Sequence, residues 1–143
     1  MAFHLRAATD RDLTFARTLT HEAMRGYYTQ YGLLWSNDGF DTAWAGRENW
    51  LICRDDCVLG FISLSRDRHA LYIRELHLLE SCRKQGAGSW VLEQMALKAC
   101  AQGLLRLTVF KANPAKRLYQ RMGLSIVGEE DCFWRMERAC PSS

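Results

Sequence analysis

No stretch of this chain approaches the roughly 18 apolar residues that a membrane-spanning helix needs, which excludes a helical membrane protein. The first residues, Met1–Arg6, lack the apolar core of a secretory signal, so a cytosolic protein is expected. No Cys-x-x-Cys pair occurs among the six cysteines at 53, 57, 82, 100, 132 and 140. With no secretion signal, reduced thiols are expected over disulfides, although the even count leaves pairing open. The four histidines are dispersed, without the spacing of a zinc site, so no metal is expected. Basic excess is also small: 19 Lys and Arg against 16 Asp and Glu give a net charge of +3. Neither a basic face for nucleic acid nor a membrane-binding charge run is visible. Repeats, low-complexity segments and linkers are absent as well.

What is present is an ordinary globular balance, 48% apolar and 24% charged over 143 residues. One domain, 1–143, with one core is the expectation. Phe3 to Ala7 reads as a short strand. Thr9-Asp10-Arg11-Asp12 has the form of a capping box, and Leu13, Ala16, Leu19, Ala23 and Tyr27 follow at helical spacing, predicting a helix from Asp10 to Tyr28. Asn37-Asp38-Gly39 reads as loop, with a short helix over Phe40 to Arg47. Trp50 to Arg54 and Val58 to Ser65 flank a polar turn and predict a hairpin, and Ala70 to Leu79 a third strand. The remainder alternates: helix Gly88 to Gln102, strand Leu104 to Phe110, helix Pro114 to Met122, strands Leu124 to Glu129 and Cys132 to Arg138. Gly103 and Gly123 stand where helix C-termini favour glycine. The class is α+β.

The third strand of the meander changes parity. Leu71 and Ile73 share one face, Leu76 and Leu78 the other, with Arg74 and Glu75 between them. A strand buried on one face does this only with an inserted residue, so either a bulge lies near Arg74–Leu76 or the strand is buried on both faces. A bulge would free backbone groups for a ligand.

After that strand comes Arg83-Lys84-Gln85-Gly86-Ala87-Gly88-Ser89, leading into an amphipathic helix. The glycines permit a sharp turn, and the helix start offers unpaired N–H groups and a positive dipole end. Together they suit an anion such as a pyrophosphate, with Arg83 and Lys84 adding charge; a glycine-rich turn without a ligand is the plainer reading. The Gly-Lys-Ser/Thr of a Walker loop is missing, and the third glycine of a dinucleotide fingerprint is replaced by Val91.

The run from Leu76 through Arg83-Lys-Gln-Gly86-Ala-Gly88 resembles motif A of the GNAT superfamily of acetyl-coenzyme A-dependent N-acetyltransferases. Asn113-Pro-Ala-Lys-Arg-Leu118-Tyr119, followed by Gly123-Leu124, resembles that superfamily's motif B, with Leu124 in place of the usual Phe. The resemblance covers about Trp50 to Arg138. It implies a mixed, mostly antiparallel sheet of six to seven strands with about four helices. Acetyl-CoA would lie in a V-shaped opening after the third meander strand. The segment Leu76, His77, Leu78 would take the pantetheine arm through backbone groups, and the amides of Arg83, Lys84, Gln85, Gly86, Ala87, Gly88 and Ser89 the pyrophosphate.

Residue roles follow from the same resemblance. Tyr119 would protonate the departing thiolate, as a phenol near pKa 10 can; packing in the core beside Leu118 and Met122 is the plainer role. Glu75 would take the amine's proton, directly or through water, or else serve only as a strand-surface ion pair; some members carry the acid one residue earlier, where this chain has Arg74. Asn113 would touch the coenzyme, cap the following helix, or do both. Tyr27, Tyr28 and Trp35 would wall an acceptor pocket or pack into the core.

The expected reaction is acetyl transfer to a primary amine of a small molecule or peptide, by direct attack in a ternary complex. Cys82 lies at the pyrophosphate end, which disfavours an acyl-cysteine intermediate. A degenerate acyl-CoA-binding sensor is the alternative, and a protein- or nucleic-acid-binding domain with an incidental loop the remoter one. The acceptor, the acyl chain and homodimerisation are not fixed by the sequence.

Overall fold

The computed structural model describes residues 2–140. These fall into two compact units, interleaved in sequence: one runs to Leu64 and adds Glu75–Ala87, the other takes Ser65–Arg74 and continues from Gly88.

In the first unit the chain opens with strand β1, Phe3–Ala7. Thr9 and Asp12 form the expected capping box around a single 3-10 turn, Asp10–Asp12, with Thr9 N–H donating to Asp12 Oδ2 at 2.9 Å. Helix α1, Leu13–Gln30, then starts three residues later than predicted, because the box caps that turn rather than the helix itself. Helix α2, Asn37–Ala45, begins inside the segment expected to be loop. The reason is Ser36, whose Oγ accepts from Gly39 N–H at 2.9 Å and caps the first turn. Arg17 grips Asp41 with one nitrogen at 2.8 and 2.9 Å and ties α1 to α2.

Strands β2, Glu48–Arg54, and β3, Cys57–Arg66, form the predicted hairpin, with Asp55 at φ 54° in its turn. β2 pairs antiparallel with β1 on one side and β3 on the other. Ala16, Leu19, Phe40, Trp44, Leu51, Cys53 and Phe61 make the core of this unit. Burying each large member contributes on the order of 1.5–3 kcal/mol, and the rings of Phe40, Trp44 and Phe61 meet with centroids 5.9–6.5 Å apart.

Strand β4, Leu71–Leu78, passes from the second unit into the first. Its first three residues run parallel to strand β5, Leu104–Phe110, pairing Leu71–Ile73 with Leu105–Leu107. Burial alternates through Ile73 and stops doing so from Arg74 onward, where the parity change was read. In the neighbouring β3 the register with β2 shifts: Ile52 faces Gly60 and Cys53 faces Val58, leaving Leu59 extra.

The second unit continues with helix α3, Ala87–Ala99, then β5, helix α4, Ala115–Arg121, and strands β6, Ser125–Glu130, and β7, Phe133–Ala139. β7 lies antiparallel to both β5 and β6. Gly123, at φ 89°, directly follows the C-cap of α4 as expected, whereas α3 ends at Ala99 rather than Gln102 and Gly103, at φ 102°, lies in the turn after it. Among the described residues the strand order is β1-β2-β3-β4-β5-β7-β6, and the fold is α+β with a seven-stranded, mostly antiparallel sheet and four α-helices.

The expectation of reduced thiols is corrected at one pair. Cys100 and Cys140 form a disulfide across 40 residues, while Cys53, Cys57, Cys82 and Cys132 are free. Local spacing gave no sign of it: Cys140 reaches Cys100 because Cys140 N–H donates to Gly103 O at 2.9 Å, just past the end of α3. No helix among the described residues is long and apolar enough to cross a membrane.

Candidate active site

The C-terminal half of β4 is held hard against β3. A Cβ on Gly60 would overlap the His77 carbonyl and approach Leu78 Cα to 2.8 Å, so only glycine fits there. Just beyond, Leu79 N–H donates to Leu59 O at 2.8 Å. The peptide groups of His77 and Leu79 therefore face β3. Successive peptide groups of a strand point to opposite sides, so those of Leu76 and Leu78 face away from β3. Nothing in the sequence pattern marked Gly60.

The chain then turns through a 3-10 segment, Glu80–Cys82, and a left-handed passage: Lys84 at φ 61° and Gly86 at φ 89°. At Gly86 the space beside Cα is open, so conformation rather than crowding demands glycine there. The turn delivers Ala87, almost fully buried, as the first residue of α3. Side chains brace the turn. Arg83 Nε donates to Leu78 O at 3.3 Å, Gln85 Nε2 to Ser81 O at 3.1 Å, and Arg54 donates to Gln85 Oε1 at 2.6 Å. Arg83 and Gln85 thus spend hydrogen-bonding capacity on shaping the loop. Lys84 is exposed, and Gly88 and Ser89 lie in the first turn of α3, where amides have no partner within the helix.

Glu75 sits in a polar cluster assembled from three elements of the first unit. His77 Nε2 lies 2.8 Å from Glu75 Oε1, and Arg47, just after α2, lies 4.0 Å from Oε2. An ionised carboxylate only accepts, so Nε2 is the donor. The His77 side chain is 9% exposed and its ring meets Phe61 at 5.8 Å. Tyr28 of α1 completes the group: burial first, and then the charge of Glu75, raise its phenol above the ordinary value, keeping it protonated and able to donate. Glu75 was expected as a base or a surface ion pair; it is a half-buried carboxylate with an imidazole partner. His77, expected only as part of the pantetheine segment, and Arg47, not expected at all, are the additions.

Trp35 and Tyr28 come together edge to face at 5.6 Å. Trp35 also stacks on His21 at 4.9 Å, packs on Phe40 at 5.8 Å and donates through Nε1 to Asn37 Oδ1 at 2.7 Å. The packing reading holds for Trp35, which is anchored on the core through Phe40 and is half-exposed. Tyr27, next along α1, is half-buried.

In the second unit Asn113 Oδ1 accepts from Ala115 N–H at 2.9 Å, so the capping role is realised at the start of α4. Tyr119 is buried on α4, and its carbonyl accepts from Met122 N–H and from Leu124 N–H at 3.2 and 3.0 Å. Gly88 approaches Leu118 of the same helix: a Cβ there would sit 3.2 Å from Leu118 Cδ2. Among the described residues no three His, Cys, Asp or Glu side chains gather as a metal would need.

The model of the acetyltransferase (GNAT) family matches residues 16–124. Solved structures with the same fold include the PaiA N-acetyltransferase of Thermoplasma acidophilum in complex with coenzyme A, at 15% identity, TM-score 0.71, covering 97% of this chain and 99% of that one. An acetyltransferase of Thermus thermophilus gives 18% identity, TM-score 0.77 and 97% coverage of both chains. The ribosomal-protein-S18-alanine N-acetyltransferase of Escherichia coli gives 13% identity, TM-score 0.69, and 99% and 96% coverage. No curated protein matches the chain by sequence.

Proposed function

Because the chain belongs to the acetyltransferase (GNAT) family, we propose that it transfers an acetyl group from acetyl-CoA to a primary amine, in a ternary complex without a covalent enzyme intermediate. The observation that carries this reading is the geometry of β4 and the turn after it. The backbone groups of Leu76 and the Leu78 N–H face away from β3; those of Leu76 are available to an amide-bearing pantetheine arm, while the Leu78 carbonyl accepts from Arg83 Nε. The left-handed turn at Lys84 and Gly86 then leads into the start of α3, where Gly86–Ser89 offer amides and a positive dipole end to a pyrophosphate.

Each remaining residue has a defined task. Glu75, held by His77 and Arg47, takes the proton that the amine nitrogen must lose. The nitrogen attacks the thioester carbonyl carbon, and the backbone amide of Leu78 steadies the oxyanion. As the carbon–sulfur bond breaks, the sulfur takes the bonding pair and then a proton from the Tyr119 phenol. Tyr28 and Trp35 wall the acceptor, with Tyr27 beside them on α1.

Calorimetric titration with acetyl-CoA, wild type beside Gly86→Glu, tests this. Binding with a Kd of about micromolar in the wild type, lost in the variant, is the expected result. The substitution puts a negative side chain and a disfavoured φ where the pyrophosphate rests. A folded wild type that binds no acetyl-CoA would remove the enzyme reading.

A further inference from the structure

The turn between β4 and α3 holds a conformation that its own residues do not favour. Lys84 stands at φ 61°, two residues before Gly86 at φ 89°. A left-handed lysine carries a steric cost that glycine escapes, and such a position persists only where its surroundings fix it. Gln85 lies between the two, and the fixing falls on its side chain. The amide is held at both ends: Nε2 donates to Ser81 O at 3.1 Å, within the turn, and Oε1 accepts from Arg54 Nη2 at 2.6 Å, from 31 residues away in sequence.

Arg54 is itself held in place. It ends β2, opposite Phe3 of β1, and its guanidinium lies 5.6 Å from the centre of the Phe3 ring. Arg54 is half-buried, and among the described residues no carboxylate pairs with it. Its short, charge-assisted bond to Gln85 therefore competes with no ion pair. Strand end, ring and turn all lie in the first unit. The basic residues within the turn do different work: Arg83 bonds back to Leu78 O, and Lys84 is exposed. The brace from outside the turn comes from a residue that the sequence pattern did not mark.

We propose that Arg54 is a positioning residue for the coenzyme: by pinning Gln85 it keeps the turn in the shape that presents its amides to a pyrophosphate, and so sets acetyl-CoA affinity without touching the coenzyme itself. A turn ordered before the ligand arrives loses less entropy on binding. The coenzyme role rests on the acetyltransferase reading. The brace rests on the geometry of one unit.

Two measurements separate these layers. The first needs no ligand: backbone order parameters of residues 83–86, from NMR relaxation, in the wild type, Arg54→Met and Gln85→Ala. Methionine keeps an apolar stem against Phe3 and removes the donor. Values of about 0.85 in the wild type, falling toward about 0.6 in both variants, are expected, with the melting temperature unchanged. A turn equally ordered in all three overturns the brace. The second is calorimetric titration of acetyl-CoA into the wild type, the two single variants and the double variant. Each single change should weaken Kd by about tenfold, as loss of one charge-assisted hydrogen bond does. The double variant should be no weaker than Gln85→Ala alone, because both changes cut the same link. In turnover the loss falls on KM for acetyl-CoA and not on kcat. Penalties that add in the double variant overturn the proposal, since Arg54 would then reach the coenzyme phosphates directly. A loosened turn with wild-type affinity overturns it as well. If the turn loosens in a protein whose wild type binds no acetyl-CoA, the coenzyme role falls together with the enzyme reading. If the wild type binds and both variants bind equally well, this inference alone falls.

Discussion

The turn from Leu79 to Ala87 and the cluster around Glu75 belong to the same compact unit and are built by opposite means. The turn is made of consecutive residues, and its shape is a matter of backbone: two left-handed positions and side chains that mostly bond back to their own loop. The cluster draws Tyr28, Arg47, Phe61, Glu75 and His77 from four stretches of chain, and its properties come from side chains meeting after folding. Under the proposed function one region binds and the other reacts. Substitutions should therefore divide into those that change acetyl-CoA affinity and those that change turnover.

Tyr119→Phe gives the sharpest division. Loss of one proton donor from the transition state lowers kcat by at least about a hundredfold, while acetyl-CoA affinity, read by calorimetry, stays as in the wild type. If affinity and melting temperature fell together with rate, Tyr119 would be a packing residue of α4 and the acid would have to be sought elsewhere.

Gly60→Ala should blur the division, because Gly60 lies behind both regions. The added methyl group has no room against His77 and Leu78, so β3 and β4 must separate at the point where β4 carries the Glu75 partner and, under the proposed function, would meet the pantetheine arm. Overpacking of this kind costs about 1–3 kcal/mol. Thermal denaturation should show it, and both affinity and turnover should fall. An unchanged melting temperature with unchanged affinity would show that β4 is not pinned by β3.

The same contrast explains what the sequence disclosed. Strands β1 and β5 were legible to the residue, because short apolar runs bounded by polar turns or glycine leave few choices. The turn at Lys84 and Gly86 was legible because glycine placement reports backbone conformation directly. The start of α2 was misread since Asn-Asp-Gly is a turn signal unless a preceding serine caps it, as Ser36 does. The Glu75–His77 pair was half-legible: i and i+2 on a strand share a face, but only the fold shows that Arg47 and Tyr28 face them. The Cys100–Cys140 disulfide and the demand for glycine at position 60 have no local signature, because each depends on segments that meet only in the folded chain.

The smallest expected effect asks what His77 does within the reacting region. Its Nε2 contacts Glu75 while its ring is held by Phe61, so the imidazole is a fixed neighbour with little freedom to turn. On that geometry His77 positions the carboxylate, and His77→Ala should lower kcat by about tenfold, the loss of one charge-assisted hydrogen bond. KM for acetyl-CoA should not move, because the contact is made by the His77 side chain, whereas the proposed coenzyme contacts of this segment are made by the backbone. His77→Gln discriminates between two roles. A glutamine amide can reach the place of Nε2 and donate to Glu75, but it cannot accept and pass on a proton at neutral pH. Recovery of most of the lost rate in His77→Gln, with a pH–rate profile matching the wild type, identifies His77 as a positioning residue. A glutamine variant as slow as the alanine one would mean that the imidazole itself carries the proton, and the base would then be the Glu75–His77 pair rather than the carboxylate that the strand sequence put forward.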